Sequence, residues 1–290
     1  MDVVVLLEPD HPEGRLVDAA QPHFSPLAQG IVRGDGIFES MLYDGRRLRK
    51  MDEHLWRLRR SAGITGIEIP DDDHWRQAVQ TALGAWRAEP LDDVLPGEAY
   101  VRLFVLRGYP PENPDGYAWV VVSPLPTAVR PSAPIAVSLM DRGFASTHAA
   151  EAPWLLLGAK TLSYATNMAA LREARRRGTQ DVIFVTSDGL VLEAPTASVV
   201  MQRGHELVTT PTEIGVLPGT TQRVLFRAAE EAGWSTAVDR LTPDDLFAAD
   251  ALWLSSSGRL LSQVARLDDH ELPTDDAVHE ELLGLLAEAS

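Results

Sequence analysis

The chain of 290 residues holds two lysines, Lys50 and Lys160, against 24 arginines. An arginine stays protonated at any ordinary pH and cannot serve as a nucleophile. A lysine amine in apolar surroundings can lose its proton and condense with a carbonyl. Lys160 follows the apolar run WLLLGA, which supplies such surroundings. The plainer reading is a lysine-poor composition whose two lysines have to fall somewhere. Four residues on, at helical spacing, stands Tyr164, whose phenol could hydrogen-bond a group near the amine. An ordinary tyrosine at a helix edge satisfies the same spacing. Glu193 closes the strand-like stretch GLVLE. A carboxylate buried there requires a cationic partner, either a protonated ring nitrogen or a neighbouring arginine.

Other stretches could hold an anion. GVLPGTTQRVL places Gly219, Thr220 and Thr221 at a helix entrance, where backbone N–H groups and two hydroxyls converge; threonine is also a common helix cap. WLSSSG ends an apolar strand in Ser255, Ser256 and Ser257, a second phosphate contact or simply a turn. Arg57 lies off the apolar stripe of its helix and reads by itself as a solvated surface residue. Arg102 and Arg107 stand near the end of one strand, where alternation sends them to opposite faces unless the strand ends or bulges. RGDGIFES has neither the spacing nor the context of a dinucleotide or phosphate loop. The eight histidines show no metal-ligand spacing and no Ser-His-Asp arrangement stands out, so no metal centre is expected.

These residues need a mixed scaffold. VVVLL reads as a strand. MDEHLWRLRRSAGI has apolar residues at Met51, Leu55, Leu58 and Ala62, and the stretch from 71 is periodic after a run of aspartates; both read as helices. AYVRLFVLRG and GYAWVVVSPL read as strands. The proline-rich segment 124–134 reads as a linker between residues 1–123 and 135–290. Beyond it come a strand at PIAVSLM, a helix over 161–177, a hairpin turning at Ser187-Asp188-Gly189 and strands at SVVMQ and ELVTT. A helix between Gly219 and Gly233, a strand at ALWLSSSG and a terminal helix complete the α+β pattern.

A hydrophobic content of 45% and 23% charged residues are ordinary for a globular protein. The net charge of −16 opposes binding to nucleic acid or to an anionic membrane. Without cysteine there are no disulfides, thiolate nucleophiles or thiolate metal sites. The N-terminal apolar run lacks a preceding basic region, and no stretch reaches membrane-spanning length, so a cytoplasmic protein is expected.

Taken together, the residues resemble the fold-type IV pyridoxal-phosphate family, which includes branched-chain and D-amino-acid aminotransferases and 4-amino-4-deoxychorismate lyases. The resemblance covers nearly the whole chain. GDGIFES…EHLWRL resembles the N-terminal signature, which implies that Arg57 binds the cofactor phosphate. KTLSYATNMAALREARRRGTQDVIFVTSDGLVLEAPTASVV resembles the central signature. It implies that Lys160 bonds the cofactor aldehyde, Tyr164 reaches its phenolic oxygen and Glu193 its pyridine nitrogen. GVLPGTTQ resembles the phosphate cup at Thr220 and Thr221, and Ser257 falls at a further phosphate hydroxyl. The implied fold is a small α+β domain and a larger pseudo-barrel domain holding pyridoxal 5'-phosphate, in a homodimer acting on a small-molecule amine.

The cofactor residues do not separate lyase from aminotransferase. The D-amino-acid branch carries an arginine and a histidine in the loop that here reads YPPENPDG, with neither. AYVR, ending at Arg102, resembles the branched-chain enzymes, while KTLSYATNMAALREA looks more like the lyases. The resemblance implies 4-amino-4-deoxychorismate lyase activity, forming 4-aminobenzoate and pyruvate, with a branched-chain (or other class IV) amino-acid aminotransferase as the alternative. Arg102 and Arg107 are the candidates for substrate carboxylates, Arg102 being favoured.

Overall fold

The computed structural model describes residues 1–88, 91–109 and 116–289. They form two compact units, Met1–Val129 with Ala159–Ser163, and Arg130–Gly158 with Tyr164–Ser290.

The first unit contains β1 (Val3–Glu8), β2 (His11–Val17), α1 (Gln29–Arg33), β3 (Gly36–Tyr43), α2 (Met51–Thr65), α3 (Asp72–Ala85), β4 (Val94–Leu106) and β5 (Tyr117–Pro126). The strands make an antiparallel sheet in the order β2-β1-β5-β4-β3. In β4, Ala99, Val101, Leu103 and Val105 are buried, whereas Tyr100, Arg102 and Phe104 between them are half-buried. The period of two thus divides the sheet into a core face and an open face. α2 and α3 cover the core face with Leu55, Leu58, Trp75, Ala78 and Ala82. Asp71 caps α3 by accepting the His74 N–H at 2.9 Å, and Asp72 and Asp73 complement its dipole. Strand β2 escapes the sequence reading because HPEGRLV is polar and broken by proline and glycine. It is an edge strand, where such residues are tolerated.

The second unit contains β6 (Ile135–Asp141), α4 (His148–Glu151), α5 (Ala165–Arg176), β7 (Asp181–Val185), β8 (Ser198–Arg203) and β9 (Glu206–Thr209). It continues with α6 (Thr220–Glu231), β10 (Ser235–Val238), α7 (Pro243–Phe247), β11 (Ala251–Ser256), β12 (Leu260–Leu267), β13 (His270–Glu271) and α8 (Asp276–Glu288). Its mixed sheet runs β10-β9-β8-β11-β12-β6-β7, with β13 on β12, and curls as a half-barrel. Leu225 of α6 and Leu282 and Leu286 of α8 pack with Trp253. Ala170 and Ala174 of α5 pack with Val182 and Phe184.

Three expectations need adjustment. The segment 124–134 is not wholly irregular: β5 continues to Pro126, and the units divide between Val129 and Arg130. The helix expected over 161–177 begins at Ala165. The preceding residues pair with β3 instead: Phe38 N–H donates to Lys160 O at 3.0 Å and Leu162 N–H to Gly36 O at 2.8 Å. Backbone groups committed to a strand partner cannot also close helical turns. Third, the hairpin after β7 closes through Thr186, Leu190 and the bridge Val185–Val191, but its return arm is not a regular strand.

Candidate active site

The first unit positions Lys160. Its N–H donates to Ser61 Oγ at 3.0 Å, and its carbonyl accepts from Phe38. α2 and β3 therefore hold this backbone from two sides. The amine Nζ lies 4.4 Å from the centroid of the Phe38 ring. On the open face of the sheet, Phe38 neighbours Phe104, centroids 5.9 Å apart, and Phe104 stacks on Trp119 at 4.9 Å. Arg102 shares this face: its Nη2 donates to Ser123 Oγ at 2.7 Å, its guanidinium carbon is 5.9 Å from the Phe104 ring, and its Nε is buried without a hydrogen-bond partner.

Arg107 has other commitments. Nε donates to Asp35 at 2.8 Å, Nη1 to Gly66 O at 2.9 Å and Nη2 to Thr65 O at 2.6 Å. The guanidinium thus ties the end of α2 to the β3 entrance. Of the loop YPPENPDG, residues 110–115 lie outside the described residues.

Arg57 is not a solvated surface residue. It is 6% exposed, on a buried α2 face shared with His54 and Ser61. Its Nε and Nη2 donate to Glu39 Oε1 and Oε2, each at 2.7 Å, and His54 Nδ1–H donates to Oε2 at 2.7 Å. Burial alone would push the Glu39 carboxyl up; the Arg57 charge and hydrogen bonds and the His54 bond hold it well below the usual carboxylate range. Burial lowers the His54 pKa and outweighs the opposing pull of Glu39. The sequence reading missed Glu39, His54 and Ser61. Their signal was present in the helical spacing of His54, Arg57 and Ser61, but that face is polar and lies outside the apolar stripe.

The second unit carries the rest. Tyr164 is half-buried at the N-cap of α5; since the α-helix begins after it, Lys160 and Tyr164 are not one helical turn apart. Glu193 Oε1 accepts the Leu217 N–H at 3.2 Å. Arg142 feels the Glu193 charge, which partly offsets the lowering of its pKa by burial. Its guanidinium lies 4.9 Å from the Phe184 ring and donates to Asn167 Oδ1 at 3.3 Å, while Asn167 Nδ2 donates to Pro195 O at 2.7 Å.

Thr220 and Thr221 are buried in the first turn of α6, whose N-cap Gly219 offers no side chain. A Cβ on Gly219 would lie 2.3 Å from Ser198 Oγ, so a larger residue there would have to displace the Ser198 hydroxyl. Thr221 Oγ1 is buried without a hydrogen-bond partner. An orphaned hydroxyl beside a helix N-terminus fits a phosphate. Ser257 lies in the turn between β11 and β12. Among the described residues, no group of histidines and carboxylates could hold a metal, and no helix is long and apolar enough to cross a membrane.

Residues 36–267 match the family model for class IV amino-transferases; the chain belongs to that family, and pyridoxal phosphate is its cofactor. It is 38% identical over 272 residues, 90% of this chain and 91% of the other, to a bifunctional aminodeoxychorismate lyase / D-amino acid transaminase of Mycobacterium tuberculosis. Among solved structures it resembles a fold IV-transaminase from Curtobacterium pusillum, with a TM-score of 0.90, 38% identity and complete coverage of both chains. It also resembles the pyridoxal-phosphate-bound form of a hypothetical aminotransferase from Mycobacterium tuberculosis, with a TM-score of 0.88 and 35% identity, covering 98% of this chain and 97% of that one.

Proposed function

We propose that this enzyme is a 4-amino-4-deoxychorismate lyase acting as a cytoplasmic homodimer. The observation that carries this reading is the Lys160 amine over the Phe38 ring, on a sheet face that continues through Phe104 and Trp119 and bears Arg102. Flat aromatic surfaces beside a guanidinium suit a planar ring with carboxylates. The full commitment of Arg107 to Asp35 and α2 supports Arg102 as the carboxylate ligand.

Bound pyridoxal phosphate supplies the electron sink. Lys160 would hold the cofactor and, as a free amine, would take the α-proton at Nζ. Ionised Glu193 would keep the pyridine nitrogen protonated, and Tyr164 would reach the phenolic oxygen. Arg57, Thr220, Thr221 and Ser257 would hold the phosphate. Loss of enolpyruvate from the substrate ring gives 4-aminobenzoate and pyruvate, and no oxo-acid acceptor enters the balance.

Transamination at the same site is the second reading, favoured by the double name of the 38%-identical relative. The loop YPPENPDG, with neither arginine nor histidine, argues against the D-amino-acid branch, whereas that relative's name includes a D-amino acid transaminase. The experiment supplies aminodeoxychorismate without oxo-acid and assays both products. Equimolar 4-aminobenzoate and pyruvate are expected; a strict requirement for 2-oxoglutarate, with glutamate formed from amino acids, would replace the lyase reading. Lys160→Arg should lose covalent cofactor absorbance and activity with an unchanged circular-dichroism spectrum, because charge is not what the position supplies.

A further inference from the structure

Two buried neighbours of Arg57, Glu39 and His54, have no part in the chemistry derived so far. Glu39 and His54 are 0% exposed. Burying an ion pair brings little net stability over apolar side chains of equal volume, since desolvation consumes most of the attraction. Orientation is what such a cluster does provide. A carboxylate that takes both Nε and Nη2 at 2.7 Å sets the guanidinium plane, and the His54 bond at 2.7 Å stops the carboxylate from rotating. The placement on α2 adds a second point. Arg57 and Ser61 are one turn apart, and Ser61 holds the Lys160 N–H. One helix thereby fixes a guanidinium and the backbone of the reactive amine.

We propose that Glu39 and His54 are positioning residues that fix the Arg57 guanidinium for the phosphate of the cofactor. This rests on Lys160 and Arg57 being cofactor ligands. The cluster sets affinity for the phosphorylated aldehyde over its phosphate-free analogue; it does not merely keep the domain folded.

The test measures binding of pyridoxal phosphate and of pyridoxal to the full-length protein after cofactor removal, by absorbance and tryptophan fluorescence. Both ligands carry the aldehyde that Lys160 meets, so their affinity ratio isolates the phosphate. Arg57→Gln should weaken pyridoxal phosphate on the order of 10–100-fold and leave pyridoxal unchanged. Glu39→Gln should weaken pyridoxal phosphate about tenfold or more, again sparing pyridoxal, and the double variant should be no worse than Arg57→Gln alone. The double variant leaves no unpaired buried charge, so it stays measurable if Glu39→Gln folds poorly. His54→Leu should give a smaller loss of the same kind, and His54→Gln, whose amide can donate to Glu39, should restore it. A Glu39→Gln protein with the full phosphate preference, or one that loses both ligands equally, overturns the positioning role. So does a double variant weaker than Arg57→Gln. If Arg57→Gln keeps the preference, the assignment of Arg57 itself fails.

Discussion

At the scale of single residues, the two lysines have opposite fates. Lys160 is held at its backbone and presents its amine over Phe38. Lys50 is 5% exposed at the N-cap of α2, with a left-handed φ of 60°. Burial, reinforced by the charges of Arg49 and Arg47 and opposed by Glu53, lowers its pKa to about 8. The unfolded chain then binds more protons between about pH 8 and the ordinary lysine value near 10.5. Stability from this group therefore rises with pH across that window, and the penalty is complete below about pH 8. Lys50→Met should stabilise the protein by roughly 3 kcal/mol at pH 7, on the scale of 1.36 kcal/mol per pKa unit. The gain should shrink toward pH 10.5. Denaturant unfolding of both proteins at several pH values checks it; a difference that does not vary with pH refutes the burial account.

At the scale of elements, the entrance of α6 is constrained by packing at the same turn that is proposed to hold the phosphate. Gly219 accepts the close approach of Ser198 on β8, and the same turn presents Thr220 and Thr221. Gly219→Ala would drive a methyl into Ser198 Oγ and displace the turn. It should cost about 1–3 kcal/mol of stability, as overpacking does, and weaken pyridoxal phosphate more than pyridoxal. Ser198→Ala in the same chain removes the closest atom and should recover most of the loss. If the double variant is no better than Gly219→Ala, the clash is not the cause.

At the scale of the whole molecule, the chain passes between its units more than once, because Ala159–Ser163 belongs with the first while both flanks belong with the second. β3 is the last strand of its sheet, and Thr161 bridges to Ile37 at that edge. A fragment of residues 1–129 would expose these unpaired groups, a known route to aggregation. The fragment should be prone to self-association, and a peptide spanning residues 156–166 added in trans should raise its melting temperature. A fragment that is monomeric and indifferent to the peptide would show that the segment is not needed to finish the sheet.

The sequence by itself determined much of the local architecture. Density of β-branched and aromatic residues was enough for β4 and β5, periodic spacing of apolar residues for α2 and α3, and the bounding glycines for α6. The scarcity of lysine singled out Lys160, and the paired hydroxyls after Gly219 singled out Thr220 and Thr221, residues whose types limit what they can do. Tertiary structure alone decided the rest. Thr161 and Leu162 have the local pattern of a helix, yet their backbone pairs with a strand more than a hundred positions earlier. Arg57 reads as a surface residue until Glu39, eighteen positions away, brings a buried carboxylate to it. Arg107 and Arg102 are alike in sequence, and only the positions of Asp35, Thr65 and Gly66 commit one of them. Hydrophobic periodicity encodes which face turns inward. It carries no information on which polar group, distant in the chain, will meet another, because that meeting is set by the packing of elements whose local patterns are independent.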